Sequence, residues 1–346
     1  MLVLHGGALG DCVLALHVIA ALRTSGSAAY VTLAARSEIA KWAAKHGLID
    51  EATTLEAIGA QELFRTLPES KTHCRFTIVD CRLNRHRHAY TGDSREIDFV
   101  ISFLGGPDAE VSRRLIDICG HKRVAAVDPQ PTAKTMRNGI HITQQWAAEI
   151  RRLGFDLKFE ISDSAMVEEM HCNSLPCRTT QSPNDGIGRS AHCQIAKSPN
   201  HEIAKSVLVH PGSGGRAKCC PIEALEALVG ELTRRTKTVA WMIGPDEVER
   251  DGPDFRKRLE DSAPVIFEDS LEAAADLVAG ADAFVGNDAG MTHLAALAGV
   301  TTVALFGPTD PRVWRPLGAR CTVMSFPETG DSRSDWTAAI VRRISS

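Results

Sequence analysis

The sequence predicts an α/β protein with two domains, each built around a parallel β-sheet. Short apolar runs typical of strands alternate with segments whose apolar residues recur at helical spacing, and this alternation is the pattern of strand-helix-strand units. The alternation stops once, near the middle of the chain, and then resumes. The 346 residues also exceed the ~250–300 residues at which a single hydrophobic core usually stops growing.

The first domain is predicted to span residues 1–163. It opens with the strand Leu2–His5, a glycine-rich turn and a helix over Cys12–Arg23. Further strands are predicted in the runs YVTLAAR, FTIVD, DFVISFLGG and RVAAVD, and further helices over Ser37–His46, Ala109–Cys119 and Thr143–Leu153.

Residues 164–205 are predicted to be a flexible linker or insertion, because Ser, Pro, Asn, Cys and Gly crowd a stretch with almost no apolar periodicity. The second domain, residues 206–325, restarts the cycle. Its strands are predicted in SVLVH, TVAWMIG, VIF, AFVGND and TTVALFG, and its helices over Ile222–Arg235, Leu271–Ala279 and Met291–Ala298. A tail over 326–346 has helical character at Trp336–Ile344.

The composition excludes several classes of protein. Hydrophobic residues make up 44% and charged residues 24%, the balance of a soluble globular protein. The net charge of −4 gives no general attraction to nucleic acid. Without a long apolar run or a signal-like start, the chain is expected to be cytoplasmic, and its ten dispersed cysteines are expected to be reduced.

Ligands of open parallel sheets bind beyond the carboxyl ends of the strands, so the loops there are the first candidates for a site. The loop from His210 to Gly215 has glycines whose backbone N–H groups can approach a phosphate, and Lys218 follows with a positive charge. The spacing is not that of a Walker loop. A simple tight turn remains the alternative for this loop taken alone.

A second loop leads from Gly286 through Asp288 to the helix that contains His293, and helix N-termini attract anions. Asp288 has the alternative role of a helix cap, and His293 that of a packed core residue. The turn Phe306–Pro311 is expected to shape the same pocket. In the first domain, Asp11 follows a glycine loop at a helix start, again with a cap as the alternative.

Three segments, LVLHGGALGD, HPGSGGRAKCCP and FVGNDAGMTHLAALAGVTTVALFGPTDPRVWRPLG, resemble glycosyltransferase family nine, the lipopolysaccharide heptosyltransferases, in order and spacing. The last segment is the most specific, since D-x-G-x-x-H is followed by an alanine-rich helix, an apolar strand and F-G-P-T-D-P. The resemblance implies a GT-B fold, with two Rossmann-like, doubly wound domains facing across a cleft. It places the donor on the C-terminal domain and the acceptor on the N-terminal one.

The resemblance also implies roles for individual residues. Asp11 matches the proposed general base, and Asp246 falls where the family often has an acid for the nucleotide ribose, with an exposed turn aspartate as the alternative. The implied donor-binding set is Ser213, Gly214, Lys218, Asp246, Asp288, Ala289, Gly290, Met291, Thr292 and His293. Three positions depart from the family: Ala289 replaces a common Ser or Thr, and Cys219 and Cys220 replace a polar or aromatic pair.

The implied reaction is an inverting transfer of heptose from a nucleoside-diphosphate donor, with ADP-heptose as co-substrate and no other cofactor. The acceptor is expected to be a lipopolysaccharide-type or other glycan or glycolipid hydroxyl. No metal is expected, because the sequence has no D-x-D triplet and the His and Cys residues of 171–193 lack zinc spacing. Cys219 and Cys220 have no partner base in any motif, so they are not expected to act as nucleophiles.

On the acceptor side, Gly10 and the basic residues Arg82, Arg85 and Arg87 are candidates for contact with an anionic acceptor or the inner membrane surface, and a solvated loop is the alternative. Two rival functions remain open. One is a catalytically degenerate nucleotide-sugar-binding protein. The other is a GT-B-like sugar-nucleotide epimerase. The absence of G-x-G-x-x-G argues against a nucleotide-dependent oxidoreductase.

Overall fold

The computed structural model describes residues 1–35, 38–64, 97–120, 123–155, 157, 159, 206–235, 238–327 and 333–345. The chain divides into two compact units, residues 1–161 and 162–346. The segment predicted as a linker and the strand predicted in FTIVD lie outside the described residues.

The first unit contains a five-stranded parallel sheet with the order β3-β2-β1-β4-β5. The strands are β1 (Leu2–His5), β2 (Thr32–Ala35), β3 (Glu51–Thr53), β4 (Val100–Ser102) and β5 (Val124–Ala126). The fully apolar start of β1 makes it a strand that is buried on both faces. Leu2 accordingly pairs with Thr32 on one side and Val100 on the other.

The described residues of this unit form five helices: α1 (Leu9–Thr24), α2 (Ile39–Lys45), α3 (Glu110–Cys119), α4 (Ala133–Asn138) and α5 (Ile142–Arg151). A short 3₁₀ helix spans Ala60–Phe64. Helix α1 buries most of its length, including Val13, Leu16 and Ile19, which matches its nearly continuous apolar sequence.

The second unit contains a six-stranded parallel sheet with the order β11-β10-β9-β6-β7-β8. The strands are β6 (Ser206–His210), β7 (Thr238–Ile243), β8 (Val265–Phe267), β9 (Ala283–Asn287), β10 (Thr301–Phe306) and β11 (Cys321–Ser325). Thus β9, at the middle of the sheet, lies between β10 and β6. The prediction of two α/β domains with parallel sheets is confirmed.

The helices of this unit are α6 (Ile222–Arg235), α7 (Pro245–Asp251), α8 (Pro253–Glu260), α9 (Leu271–Ala279), α10 (Gly290–Leu297), α11 (Pro311–Trp314) and α12 (Arg333–Ser345). The final helix packs on α6 and β10, and its Trp336 and Ile340 join the core of the unit. The Trp336 indole N–H donates to Ser325 O at 2.9 Å. None of the helices in the described part of the chain is long and apolar enough to cross a membrane.

Candidate active site

The carboxyl ends of three adjacent strands form the candidate site in the second unit. Because β10, β9 and β6 are neighbours and parallel, the loops that follow them meet at one edge of the sheet. This edge brings together Lys218 from the loop after β6, Asp288 directly after β9, and Thr309 after β10. The Phe306–Pro311 turn therefore contacts this group through Thr309.

Asp288 is the centre of this group and is only 7% exposed. Its Oδ2 accepts hydrogen bonds from Lys218 Nζ at 2.9 Å and from Thr309 Oγ1 at 2.8 Å, and its Oδ1 lies 3.8 Å from His293 Nε2. Burial acts to raise the pKa of the carboxyl, but the interactions with His293, Lys218 and Thr309 outweigh it and lower the pKa to about 2. Asp288 is therefore a buried carboxylate that stays ionised.

Lys218 faces this carboxylate and also the solvent, since 41% of its side chain is exposed. A buried anion on one side fixes the position of the ammonium group, while the exposed side remains available to a ligand. The pair places a positive charge at the sheet edge without burying that charge.

Helix α10 starts beside the pair. Its N-cap is Ala289, whose side chain makes no capping hydrogen bond, so the interpretation of Asp288 as a cap is wrong. Asp288 is turned instead toward Lys218 and Thr309, which offer it two charge-assisted hydrogen bonds. The first backbone N–H groups of a helix lack intrahelical acceptors, so those of Gly290 and Met291 lie where an anion can accept from them.

The remaining members of the predicted donor set differ in their surroundings. Thr292 is fully buried, and its hydroxyl donates to Asn287 O at 2.6 Å. His293 is 4% exposed, and its Nδ1 has no hydrogen-bond partner among the described residues. Ser213 is 8% exposed, and its hydroxyl donates to Asp288 O at 2.6 Å. The Ser213 hydroxyl thus fixes the loop to β9.

The glycine loop has one open stretch and one crowded position. A Cβ added to Gly214 or Gly215 would meet no atom within 4 Å, so the outer face of the loop is open. A Cβ on Gly212 would lie 1.7 Å from Glu247 Oε1. Glycine is required at 212 because the Glu247 side chain packs directly on its backbone.

Glu247 is a site residue that the sequence analysis missed. Asp246, the predicted acid, is exposed in the first turn of α7, whereas Glu247 is 5% exposed. Glu247 Oε2 accepts from Gly244 N at 2.8 Å, and Oε1 lies 3.7 Å from His210 Nε2. Burial lowers the pKa of His210, and the nearby Glu247 opposes that shift. The G-P-D-E pattern at the helix start, with an acid at the third helical position, was the available signal.

Two further residues of this edge were missed. Arg250 Nη1 donates to Ser213 O at 2.9 Å, which ties the glycine loop to α7. Asn287 contacts the same loop through three hydrogen bonds. Arg250 lies outside the motif segments, and Asn287 lies within the FVGNDAGMTH segment without having been assigned a role there, so their spatial placement identifies both.

In the first unit, Asp11 is the third residue of α1 and Gly10 the second. The N-cap is Ala8, so Asp11 lies inside the first turn and is not the N-cap residue. Asp11 is half-buried. A Cβ on Gly7 would lie 3.0 Å from Asp11 Oδ2, so the preceding loop passes directly beside the carboxylate. A carboxylate in a first helical turn is stabilised by the helix dipole.

His5 holds that loop in place through a side-chain hydrogen bond. It is fully buried, and its Nδ1 accepts from Gly7 N at 3.2 Å and lies 3.0 Å from Cys12 Sγ. Burial lowers the pKa of His5 to about 4, so the ring is neutral at pH 7.

Three further predictions concern the basic residues of the first domain, a metal ion and the paired cysteines. Arg82, Arg85 and Arg87 lie outside the described residues. Within the described ranges, no group of three or more His, Cys, Asp or Glu side chains is arranged to hold a metal ion.

Burial raises the pKa of Cys219, and it raises the pKa of Cys220 to about 12, so both are thiols rather than reactive thiolates.

Comparison with known proteins identifies the family. The family model "Glycosyltransferase family 9 (heptosyltransferase)" matches residues 161–335, half of the chain. This chain belongs to glycosyltransferase family 9. The predicted resemblance is therefore confirmed, and the family is one of sugar-transferring enzymes.

One curated relative is the lipooligosaccharide heptosyltransferase 2 of Haemophilus influenzae, 39% identical over 59 residues. That match covers 17% of this chain and 17% of the relative, so the chain aligns with less than a fifth of that protein's length.

Solved structures resemble the whole chain. The E. coli ADP-heptose lps heptosyltransferase II has a TM-score of 0.62 at 15% identity, covering 99% of this chain and 98% of that one. A family 9 glycosyltransferase from Veillonella parvula has a TM-score of 0.61 at 15% identity, covering 99% and 97%. The E. coli heptosyltransferase WaaC with ADP has a TM-score of 0.56 at 18% identity, covering 99% and 98%. At these identities the likeness shows the shared fold.

Proposed function

We propose that this protein transfers heptose from ADP-heptose to a hydroxyl of a lipopolysaccharide-type or other glycan acceptor, with inversion at the anomeric carbon and without a metal ion. The proposal refines family membership to a donor, an acceptor class and a mechanism. It rests first on the chemistry of the sheet edge in the second unit.

The observation that carries the proposal is the ion pair of Lys218 with the buried Asp288 beside the open glycine loop. A leaving nucleoside diphosphate gains negative charge as the sugar departs. An ammonium group that is already fixed in place, together with backbone N–H groups, stabilises that charge without reorganising. The fixed Lys218 charge and the α10 N-terminus supply what a divalent ion would otherwise supply.

ADP is the proposed nucleotide because the relatives point to it. The solved WaaC structure contains ADP, and the E. coli heptosyltransferase II is named an ADP-heptose lps heptosyltransferase. We assign the diphosphate to the loop at Gly214 and to Lys218, with Ala289, Gly290 and Met291 at the helix start. The ribose contact remains proposed for Asp246, which is exposed.

Asp11 is the proposed general base. A sugar hydroxyl is a weak nucleophile until a carboxylate removes its proton as the new bond forms, which contributes ~10²–10⁴-fold to the rate. Attack from the face opposite the diphosphate inverts the anomeric carbon. The acceptor is proposed to contact Gly10 and the basic residues Arg82, Arg85 and Arg87, and that stretch is the proposed contact with the inner membrane surface.

The proposal is tested by incubating the purified protein with ADP-heptose and a heptose-deficient lipooligosaccharide core, with and without EDTA. ADP release is followed by a coupled assay, and the anomeric configuration of the product by NMR. We expect ADP release that depends on the acceptor, is unaffected by EDTA, and gives the inverted product. ADP-heptose binding without transfer to any core acceptor would favour the degenerate binding protein.

A further inference from the structure

Asn287 connects the two ends of the loop that carries the glycines and Lys218. It is the last residue of β9, and its side chain is fully buried. Its Nδ2 donates to Pro211 O at 2.8 Å and to Gly212 O at 3.3 Å, at the start of the loop. Its Oδ1 accepts from Cys220 N at 2.9 Å, at the end of the same loop.

These three bonds need a carboxamide. Pro211 and Gly212 offer carbonyl oxygens, whereas Cys220 offers an N–H, so only one orientation of the amide group satisfies all three. An aspartate at this position would present oxygen to both carbonyls. An alanine would leave three buried backbone groups without this partner, which is a costly condition for groups away from water.

The residues enclosed by the two ends are the ones that the proposed function uses. Gly214 and Lys218 lie between Gly212 and Cys220, and Asp288, which holds the lysine, follows Asn287 in the chain. Because Asn287 is fully buried, it has no surface with which to touch a ligand. Any effect on ligand binding must therefore be transmitted through the backbone of the loop.

We propose that Asn287 is a positioning residue that holds the glycine loop and Lys218 in the geometry that binds the donor diphosphate. The inference rests on the proposed function, since it assumes that this loop binds the diphosphate. In this role, Asn287 keeps the loop ordered before the ligand arrives. Without it, the loop would have to be ordered on binding.

The test compares Asn287→Ser and Asn287→Asp with wild type by calorimetric titration with ADP and, separately, with adenosine. Serine keeps a short hydroxyl donor, and aspartate keeps the shape but loses the donor. We expect the ADP dissociation constant to rise about tenfold or more, because hydrogen bonds that order the loop are lost. Adenosine, which has no phosphate, is expected to bind as it does to wild type.

Thr302→Val is the matched control. Thr302 is 1% exposed, and its hydroxyl donates to Val300 O at 2.8 Å at the opposite, amino end of β10. This variant also removes a buried hydrogen bond from the second sheet, and its ADP affinity is expected to stay that of wild type. A merely structural role for Asn287 would weaken ADP and adenosine by the same factor, and that result would overturn the inference.

A double-mutant cycle with Lys218→Ala adds a second readout. If Asn287 acts by positioning the loop and the lysine, Asn287→Ser should weaken ADP binding less in the Lys218→Ala background than in wild type. Fully additive effects would contradict the inference.

A measurement on the wild-type protein covers the case in which the variants do not fold. Amide hydrogen exchange should be slow at Cys220, which donates to Asn287, and fast at Gly214 until ADP is added. Fast exchange at Cys220 in the free protein would overturn the inference. Failure of wild type to bind ADP would overturn the proposed function and this inference together, whereas normal ADP binding by folded Asn287 variants would overturn the inference alone.

Discussion

The two glycine-rich loops of this protein follow equivalent first strands but are held in different ways. In the second unit, the loop after β6 is fixed by Asn287, Arg250 and the buried Asp288. In the first unit, the loop after β1 rests on the neutral, buried ring of His5. The arrangement in the second unit fixes a positive charge at the surface, and the arrangement in the first unit places a half-buried carboxylate beside the glycine loop. The loop after β6 is suited to holding an anion, and the loop after β1 is suited to exchanging a proton.

The largest effect is expected from Asp11→Asn. If Asp11 is the base, kcat should fall by ~10²–10⁴-fold while ADP-heptose still binds, because the proposed diphosphate contacts lie in the second unit. Steady-state rates and calorimetric titration separate the two effects. Glu110→Gln, in the first turn of α3, is the control with unchanged activity. An Asp11→Asn enzyme with near wild-type kcat would remove Asp11 from the mechanism.

The next effect concerns His5 and pH. Its pKa is about 4 in the folded protein against an ordinary 6.5, so the unfolded chain binds the extra proton first as the pH falls. Its contribution to stability is therefore complete above pH ~6.5 and is lost toward pH ~4, by roughly 3 kcal/mol. His5→Asn, which keeps a hydrogen-bond acceptor but does not titrate, should flatten the fall in melting temperature across this range. An unchanged pH profile would contradict the assignment.

Asp288 should respond at lower pH. Its folded pKa of about 2 lies below the ordinary 3.8, so its contribution is present above pH ~4 and is lost as the pH falls toward 2. At pH 7 this contribution is about 2 kcal/mol. Asp288→Asn should lower the free energy of unfolding by that order at pH 7, with a difference that narrows below pH ~4. A constant difference at all pH values would mean that the charge of Asp288 does not contribute.

The smallest effects are expected from two glycines of the loop after β6. Gly212→Ala places a Cβ against Glu247 and should destabilise the unit by ~1–3 kcal/mol. Gly214→Ala meets no protein atom within 4 Å, so the melting temperature should hardly change. ADP binding should nevertheless weaken, because the added methyl group occupies the open face assigned to the diphosphate. Equal melting and equal ADP affinity for the two variants would contradict the described loop.

The sequence predicted the architecture because the spacing of apolar residues follows which faces of a helix or strand are buried. The helices over Ile222–Arg235 and Leu271–Ala279 have the predicted bounds. Two of the missed elements show weak periodicity. Strand β3 has three half-buried residues, and Leu259 is a buried residue of the mostly charged helix α8.

Sequence motifs identified some residues of the candidate site. Other residues, whose role depends on their contacts in the fold, were missed. Lys218, Asp288 and His293 were predicted, and the structure brings them together around one carboxylate. Glu247 was missed although the G-P-D-E pattern at the start of α7 was available. Asn287 was missed because its importance depends on which backbone groups it meets in the loop after β6. Separation along the chain of about 75 residues hides such contacts from any local pattern.

The central claim is that the sheet edge at Lys218 and Asp288 binds the diphosphate of a nucleotide sugar. The most direct test is calorimetric titration of the wild-type protein with ADP-, GDP- and UDP-linked sugars, alongside Lys218→Ala and His293→Ala. We predict micromolar binding of the ADP-linked sugar, independent of added metal and strongly weakened in both variants. No binding of any nucleotide sugar, or binding that survives Lys218→Ala unchanged, would contradict the account.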